Sequence, residues 1–313
     1  MTTYKEINGT NIEAVASDPS NPVDGQVWYN TTTNVVKANF IDPGSWSTGG
    51  NLNTGRNYLG AAGSQTAALA FGGSPGVALT EKYNGTAWTE VNDMNTARER
   101  LAGCGTQTAA LAFGGNIPTG ATEIFNGTDW SSVNSINTVR YGLTGAGTQT
   151  SALGFGGEGP AISKLTELWN GTNWTEVNDL GIARGSPGGA GASNTAVLAF
   201  GGEAPPQSAL TELWNGSNWT EVGDLNTARF RIAGCGTTTA ALAMGGDPSG
   251  PVAGATELWN GTNWTTVNAM AVPRGSLAGC GITTAALAFG GSPTGNATEE
   301  FTAGPATVTF DVS

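Results

Sequence analysis

A Gly-Gly doublet closing an apolar run returns six times in this chain, beginning at Gly72, Gly114, Gly156, Gly201, Gly245 and Gly290. The successive spacings are 42, 42, 45, 44 and 45 residues. A tryptophan keeps the same beat at Trp46, Trp88, Trp130, Trp174, Trp219 and Trp264. Two independent markers on one period require a repeat architecture, in which each unit buries its apolar face against the next.

One unit can be read from residues 101–140. LAGCGTQT (101–108) predicts a strand and a turn, AALAFGG (109–115) a second strand, TEIFNG (122–127) a third and TDWSSV (128–133) a fourth. Asn-Gly joins the last two, at Asn84, Asn126, Asn170, Asn215 and Asn260. Both residue types accept the positive φ of a two-residue type I′ turn, so that turn is expected here. Four short strands in ~43 residues describe a propeller blade.

The count sets the expected closure. Six Gly-Gly strands are present, yet only five of the tryptophans follow one; Trp46 precedes the first. SWSTGGNLNTGR (45–56) aligns with AWTEVNDMNTAR (87–98) residue for residue. The expected fold is therefore all-β, a six-bladed propeller over residues 45–303. Its last blade, with ATEEF (297–301) as third strand, is completed by the amino-terminal strand carrying Trp46. Such a ring has no open sheet edge to invite aggregation.

Composition removes whole classes of chemistry. There is no histidine among the 313 residues, so imidazole acid–base catalysis, Ser-His-Asp or Cys-His nucleophiles and His-ligated metals are excluded. Twelve Lys+Arg against 24 Asp+Glu give a formal charge of −12, a poor match to a nucleic-acid backbone. No apolar run approaches membrane-spanning length, and MTTYKEINGT does not read as a signal peptide. No cofactor and no metal site is expected.

Two charged residues also repeat. Arg56, Arg98, Arg140, Arg184, Arg229 and Arg274 precede the innermost strands; Glu81, Glu123, Glu167, Glu212, Glu257 and Glu299 open the third strands. They are read as paired charges pinning the blades, in preference to a six-fold cationic funnel for an anion. Cys104, Cys235 and Cys280 share a slot with Ala62, Ala146 and Ala190, which reads as small buried packing. Asn-x-Thr/Ser sequons such as Asn84-Gly-Thr and Asn173-Trp-Thr are assigned to turn and strand chemistry rather than to glycans.

What varies is the loop after each Gly-Gly: 74–79, 116–121, 158–165, 203–210, 247–255 and 292–297. Variable loops on a rigid scaffold are where binding concentrates. The candidate ligand-binding residues are Asn116, Lys164, Glu203, Gln207, Asp247 and Asn296.

The apolar Gly-Gly runs, aromatic–Trp pairs and trailing arginines resemble kelch-type propellers over about residues 45–303, although the five-residue step from Tyr83 to Trp88 is one shorter than the usual kelch hairpin. Enzymatic propellers of the galactose-oxidase type need histidine copper ligands, and the Ser-x-Asp-x-Gly-x-x-Trp boxes of sialidases are missing here; no enzyme is expected. Residues 1–44 depart from the repeat. Pro22, Gly25, Trp28, Tyr29, Asn30, Thr31 and Thr32 resemble a Pro-x-x-Gly-x-x-Trp-Tyr-Asn-Thr-Thr segment of bacteriophage tail-fibre and virion proteins. That resemblance implies a virion protein, present in several copies, whose residues 1–44, with Trp28, Tyr29 and Asn30, contact other virion proteins. Its variable loops would then meet a host-surface glycan or protein. A cement role on capsid or tail, and a bacterial kelch-type interaction module in the cytoplasm or outside the cell, are the alternatives. ATVTFDVS (306–313) alternates as a spare strand able to add to a sheet edge.

Overall fold

The computed structural model describes residues 12–19, 26–40, 42–117, 120–204, 207–247, 254–304 and 306–310. The chain separates into two compact units: Ser45–Thr302 forms one, and Met1–Gly44 with Ala303–Ser313 the other. Among the described residues all regular structure is β.

The larger unit repeats one four-stranded antiparallel sheet, at 60–91, 102–133, 144–177, 188–222, 233–267 and 278–302, the last completed by Ser45–Thr48. This architecture is consistent with a β-propeller. In the second sheet the strands are Ala102–Thr106, Ala109–Phe113, Thr122–Phe125 and Trp130–Val133, in that spatial order. In the sixth, Ser45–Thr48 pairs with Thr298–Thr302, setting Trp46 opposite Phe301.

The outer hairpins differ from the expected type I′ turn. Phe125 pairs with Trp130, leaving the four-residue loop 126–129 between them. Asn126 Oδ1 accepts the backbone N–H groups of Thr128 and Asp129 at 2.9 and 2.8 Å, while Gly127 alone takes positive φ, +97°. The asparagine side chain itself closes the loop as an Asx turn, so its backbone need not be left-handed. Asn84, Asn170, Asn215 and Asn260 do the same.

The Ala-Ala-Leu-Ala-Phe strands explain how the sheets stack. Alternate side chains of a strand point to opposite faces. One face of each second strand is large and the other small apart from Val197, and large meets small at the junction between sheets. Leu69 and Phe71 pack on Ala110 and Ala112 of the next sheet. Leu198 and Phe200 pack likewise on Ala241 and Ala243, and Leu287 and Phe289 on Ala68 and Ala70. These side chains are fully buried. Phe71 also lies against the inner strand of the next sheet, where a Cβ on Gly103 would come within 2.4 Å of its ring. Glycine is required there by close approach.

Each outer-strand tryptophan then ties its sheet to the one before. The indole N–H donates to a threonine Oγ1 in all six cases: Trp88 to Thr298, Trp130 to Thr80, Trp174 to Thr122, Trp219 to Thr166, Trp264 to Thr211 and Trp46 to Thr256. The distances are 3.0–3.2 Å. A buried indole N–H needs such a partner.

The smaller unit has its own sheet, in the order Glu13–Val15, Val27–Asn30, Val35–Phe40, Ala306–Phe310. The carboxy-terminal segment thus occupies an edge, antiparallel to Val35–Phe40. Asp18 organises the unit, accepting from Trp28 Nε1 at 3.0 Å, Asn30 Nδ2 at 2.8 Å and Lys37 Nζ at 2.6 Å. Those donors, Lys37 first, hold its carboxyl down at about 2.

Candidate functional site

The six repeated arginines are buried, at 0–2% exposure. Each pairs with the glutamate of its own unit. Arg56–Glu81 and Arg274–Glu299 stand at 2.8 Å, Arg98–Glu123 at 3.3 Å, Arg140–Glu167 at 2.5 Å and Arg229–Glu257 at 3.0 Å, and Arg184 pairs with Glu212. The guanidinium groups also donate to carbonyls around the Gly-Gly loop; Arg56 reaches Gly72 O and Leu79 O. A glutamate oxygen accepts a backbone N–H from the segment leading into the sheet, as Glu81 does from Asn53 and Glu123 from Asn95. These charges are consumed inside the fold and leave no cationic funnel. Burial lowers the Arg98 pKa to about 10, although Glu123 beside it pulls the other way.

The cysteines are buried and free. Burial pushes the Cys104 and Cys235 thiols up to about 12, so they are poor nucleophiles.

Two residues beyond each repeated arginine lies the feature that the sequence did not announce. Tyr58, Arg100, Gly142, Ser186, Arg231 and Ser276 all have φ between +46° and +57°. Their backbones are linked head to tail. Arg100 N–H donates to Tyr58 O, Gly142 to Arg100, Ser186 to Gly142, Arg231 to Ser186, Ser276 to Arg231, and Tyr58 to Ser276, at 2.7–3.1 Å. The left-handed conformation costs a side-chain-bearing residue about 1–2 kcal/mol. Glycine occupies only one of the six positions, so five side chains are held there against their backbone preference.

These residues rim a cavity of about 140 Å³ lined below by the inner strands. Two guanidinium groups approach the Tyr58 ring: Arg100 Cζ is 4.5 Å and Arg231 Cζ 5.4 Å from its centroid. Arg231 also lies over Phe230 at 4.7 Å, and Arg100 over Tyr141 at 5.4 Å. Glu158 is 3.6 Å from Arg100, and Asp247 is 3.1 Å from Arg231. Ser186 Oγ sits 3.4 Å from Glu158. Burial pushes the Glu158 carboxyl up, with Arg100 opposing. The four charged side chains are 18–29% exposed, so they are reachable yet partly desolvated. A second cavity, of about 250 Å³, is lined by the far ends of the same inner strands, at Gly63, Gly105, Gly147, Gly236 and Gly281.

Of the loop residues singled out from sequence, only Asp247 joins an ion pair at this rim. Glu203 is half-buried, its N–H on Gly185 O, and contributes negative charge near Glu158. Asn116 and Asn296 are exposed, Lys164 is exposed 3.8 Å from Asp179, and Gln207 is half-buried. Loop positions 118–119, 205–206 and 248–253 lie outside the described residues. In the smaller unit Trp28 and Asn30 are buried and committed to Asp18, while half-buried Tyr29 donates to Asn34. Pro22 and Gly25 lie outside the described residues.

Only residue variation marks the rim in the sequence, and it does not disclose the left-handed backbone. The dipeptide after each repeated arginine reads Asn-Tyr, Glu-Arg, Tyr-Gly, Gly-Ser, Phe-Arg and Gly-Ser, unlike the near-uniform segments around it. No protein-family model matches the chain, and no curated protein matches it.

Proposed function

We propose that the chain is a non-enzymatic attachment module: a closed six-bladed propeller, carried on a bacteriophage virion appendage, that presents one varied rim to a host-surface glycan or protein. Closure is supported by contacts joining the first and sixth sheets, Tyr58 N–H to Ser276 O and Trp88 to Thr298. One observation carries the binding reading. Side-chain variation between units is concentrated at the left-handed rim and its flanking loops, while the packing, ion pairs and tryptophan contacts repeat. The rim carboxylates Glu158 and Asp247 stand against arginines, an arrangement for holding rather than for proton transfer. The virion assignment rests on the resemblance at Trp28–Thr32 and the kelch-like array; residues 1–44 would then contact other virion proteins. Weak contacts at each copy gain strength through multivalency.

Imaging the particle that carries the chain, with adsorption measured after the chain is deleted, tests this. An outward-facing rim and poor adsorption are expected. A rim buried against other virion proteins, or normal adsorption, would overturn the attachment role; the first result would make the chain a cement protein.

A further inference from the structure

Resting on the attachment role proposed above, we infer that the Tyr58–Arg100–Arg231 rim is a saccharide subsite that takes one neutral pyranose ring of a surface polysaccharide.

The ligand class follows from what the rim offers and what it has already neutralised. Arg100 and Arg231 face Glu158 and Asp247, so neither sign of charge is left in surplus on these pairs. A small anion would have to displace a carboxylate from its arginine. A small cation would meet two guanidinium groups around Tyr58. What remains on offer is a set of closely spaced donors and acceptors: guanidinium N–H groups, carboxylate oxygens and the Ser186 hydroxyl. Vicinal hydroxyls of a sugar, each both donor and acceptor, match that alternation without stripping either ion pair. Tyr58, which lines the cavity beside the two guanidinium groups, adds aromatic surface for the C–H groups of a pyranose. The cavity, about 140 Å³, has room for a single ring or several waters and none for a folded peptide segment.

The second line of argument is strain. A rim selected only to close the ring of backbone hydrogen bonds would be filled by glycine, as at Gly142. Tyrosine and two arginines in left-handed backbone are an expense to the fold, and strained residues of this kind cluster at ligand clamps. Gly142, Ser186 and Ser276 line the remainder of the rim with small residues.

Saturation-transfer NMR on the full chain provides the test, with glucose, galactose, mannose, rhamnose and N-acetylglucosamine as probes and glucuronate as the anionic comparison. The expected result is transfer to the ring protons of at least one neutral sugar. That signal should be lost in Tyr58→Gly and in Arg231→Gly, variants whose backbone already suits glycine and whose circular dichroism and melting temperature report folding. No transfer to any neutral sugar, preference for glucuronate, or transfer unchanged in the folded variants would each overturn the inference. Particle adsorption separates this from the broader role. If deleting the chain abolishes adsorption while Tyr58→Gly does not, the sugar subsite fails and attachment stands. If deletion leaves adsorption normal, the attachment role itself fails.

Discussion

The indole N–H of Trp88 donates to Thr298 Oγ1 at 3.1 Å, joining residues 210 positions apart across the junction between the first and the sixth sheet. The same bond at Trp130 reaches Thr80 across an interior junction. Replacing either tryptophan with phenylalanine removes one buried hydrogen bond and leaves a threonine hydroxyl without its donor, a loss of about 1–3 kcal/mol. In a closed ring the two junctions are equivalent. Trp88→Phe and Trp130→Phe should therefore lower the denaturant midpoint equally; a clearly smaller effect at Trp88 would mean that the first and last sheets do not seal.

Arg140 and Glu167 form a pair at 2.5 Å in which both side chains are at most 1% exposed. Removing one partner strands the other charge away from water. Glu167→Gln should cost about 3–5 kcal/mol in equilibrium unfolding, and Arg140→Met combined with Glu167→Leu should cost less than the single change. A double variant worse than Glu167→Gln would assign the pair a larger net contribution than desolvation permits.

Gly103 has no room for a methyl group: a Cβ would lie 2.4 Å from Phe71 Cζ and 2.7 Å from Ala61 O. Gly103→Ala should destabilise by about 1–3 kcal/mol through overpacking. Trimming Phe71 to leucine in the same chain relieves the ring clash but not the carbonyl contact, so partial recovery is expected in thermal unfolding.

Asp18 makes the smaller unit acid-sensitive. Its carboxyl is held at about 2, below the usual 3.8, chiefly by Lys37 and then by Asn30 and Trp28. A lowered carboxylate pKa contributes stability that is complete above the unfolded value and disappears as pH falls through the folded one. The stability contribution should therefore begin to fall near pH 4, while the Trp28 indole N–H resonance of the folded unit titrates with a midpoint at about 2. Asp18→Asn should abolish that transition, and a Trp28 signal indifferent to pH in the parent chain would contradict the assigned role.

Strands and sheets were legible because repetition reveals them: an error in one unit is corrected by five others. Pairing of the repeated Arg and Glu was legible for the same reason. The outer turn was not, since Asn-Gly is compatible both with a two-residue turn and with an Asx-closed loop, and only the register of Phe125 on Trp130 separates them. The rim was missed for the opposite cause. Tyr58 and Arg231 occupy equivalent places but share no residue type, and their common property is a backbone angle that composition does not display.

The smaller sheet is split in sequence. Strands Val27–Asn30 and Val35–Phe40 emerge first during synthesis, and their neighbour Ala306–Phe310 comes only after the whole repeat array. The array, too, keeps its opening strand Ser45–Thr48 waiting for Thr298–Thr302. Each sheet thus keeps an unmet pairing until a strand from far along the chain has been made: Ser45–Thr48 has no partner before Thr298–Thr302, and Val35–Phe40 keeps one open edge before Ala306–Phe310. Until those strands are made, both sheets expose backbone hydrogen-bonding groups that other chains can pair with.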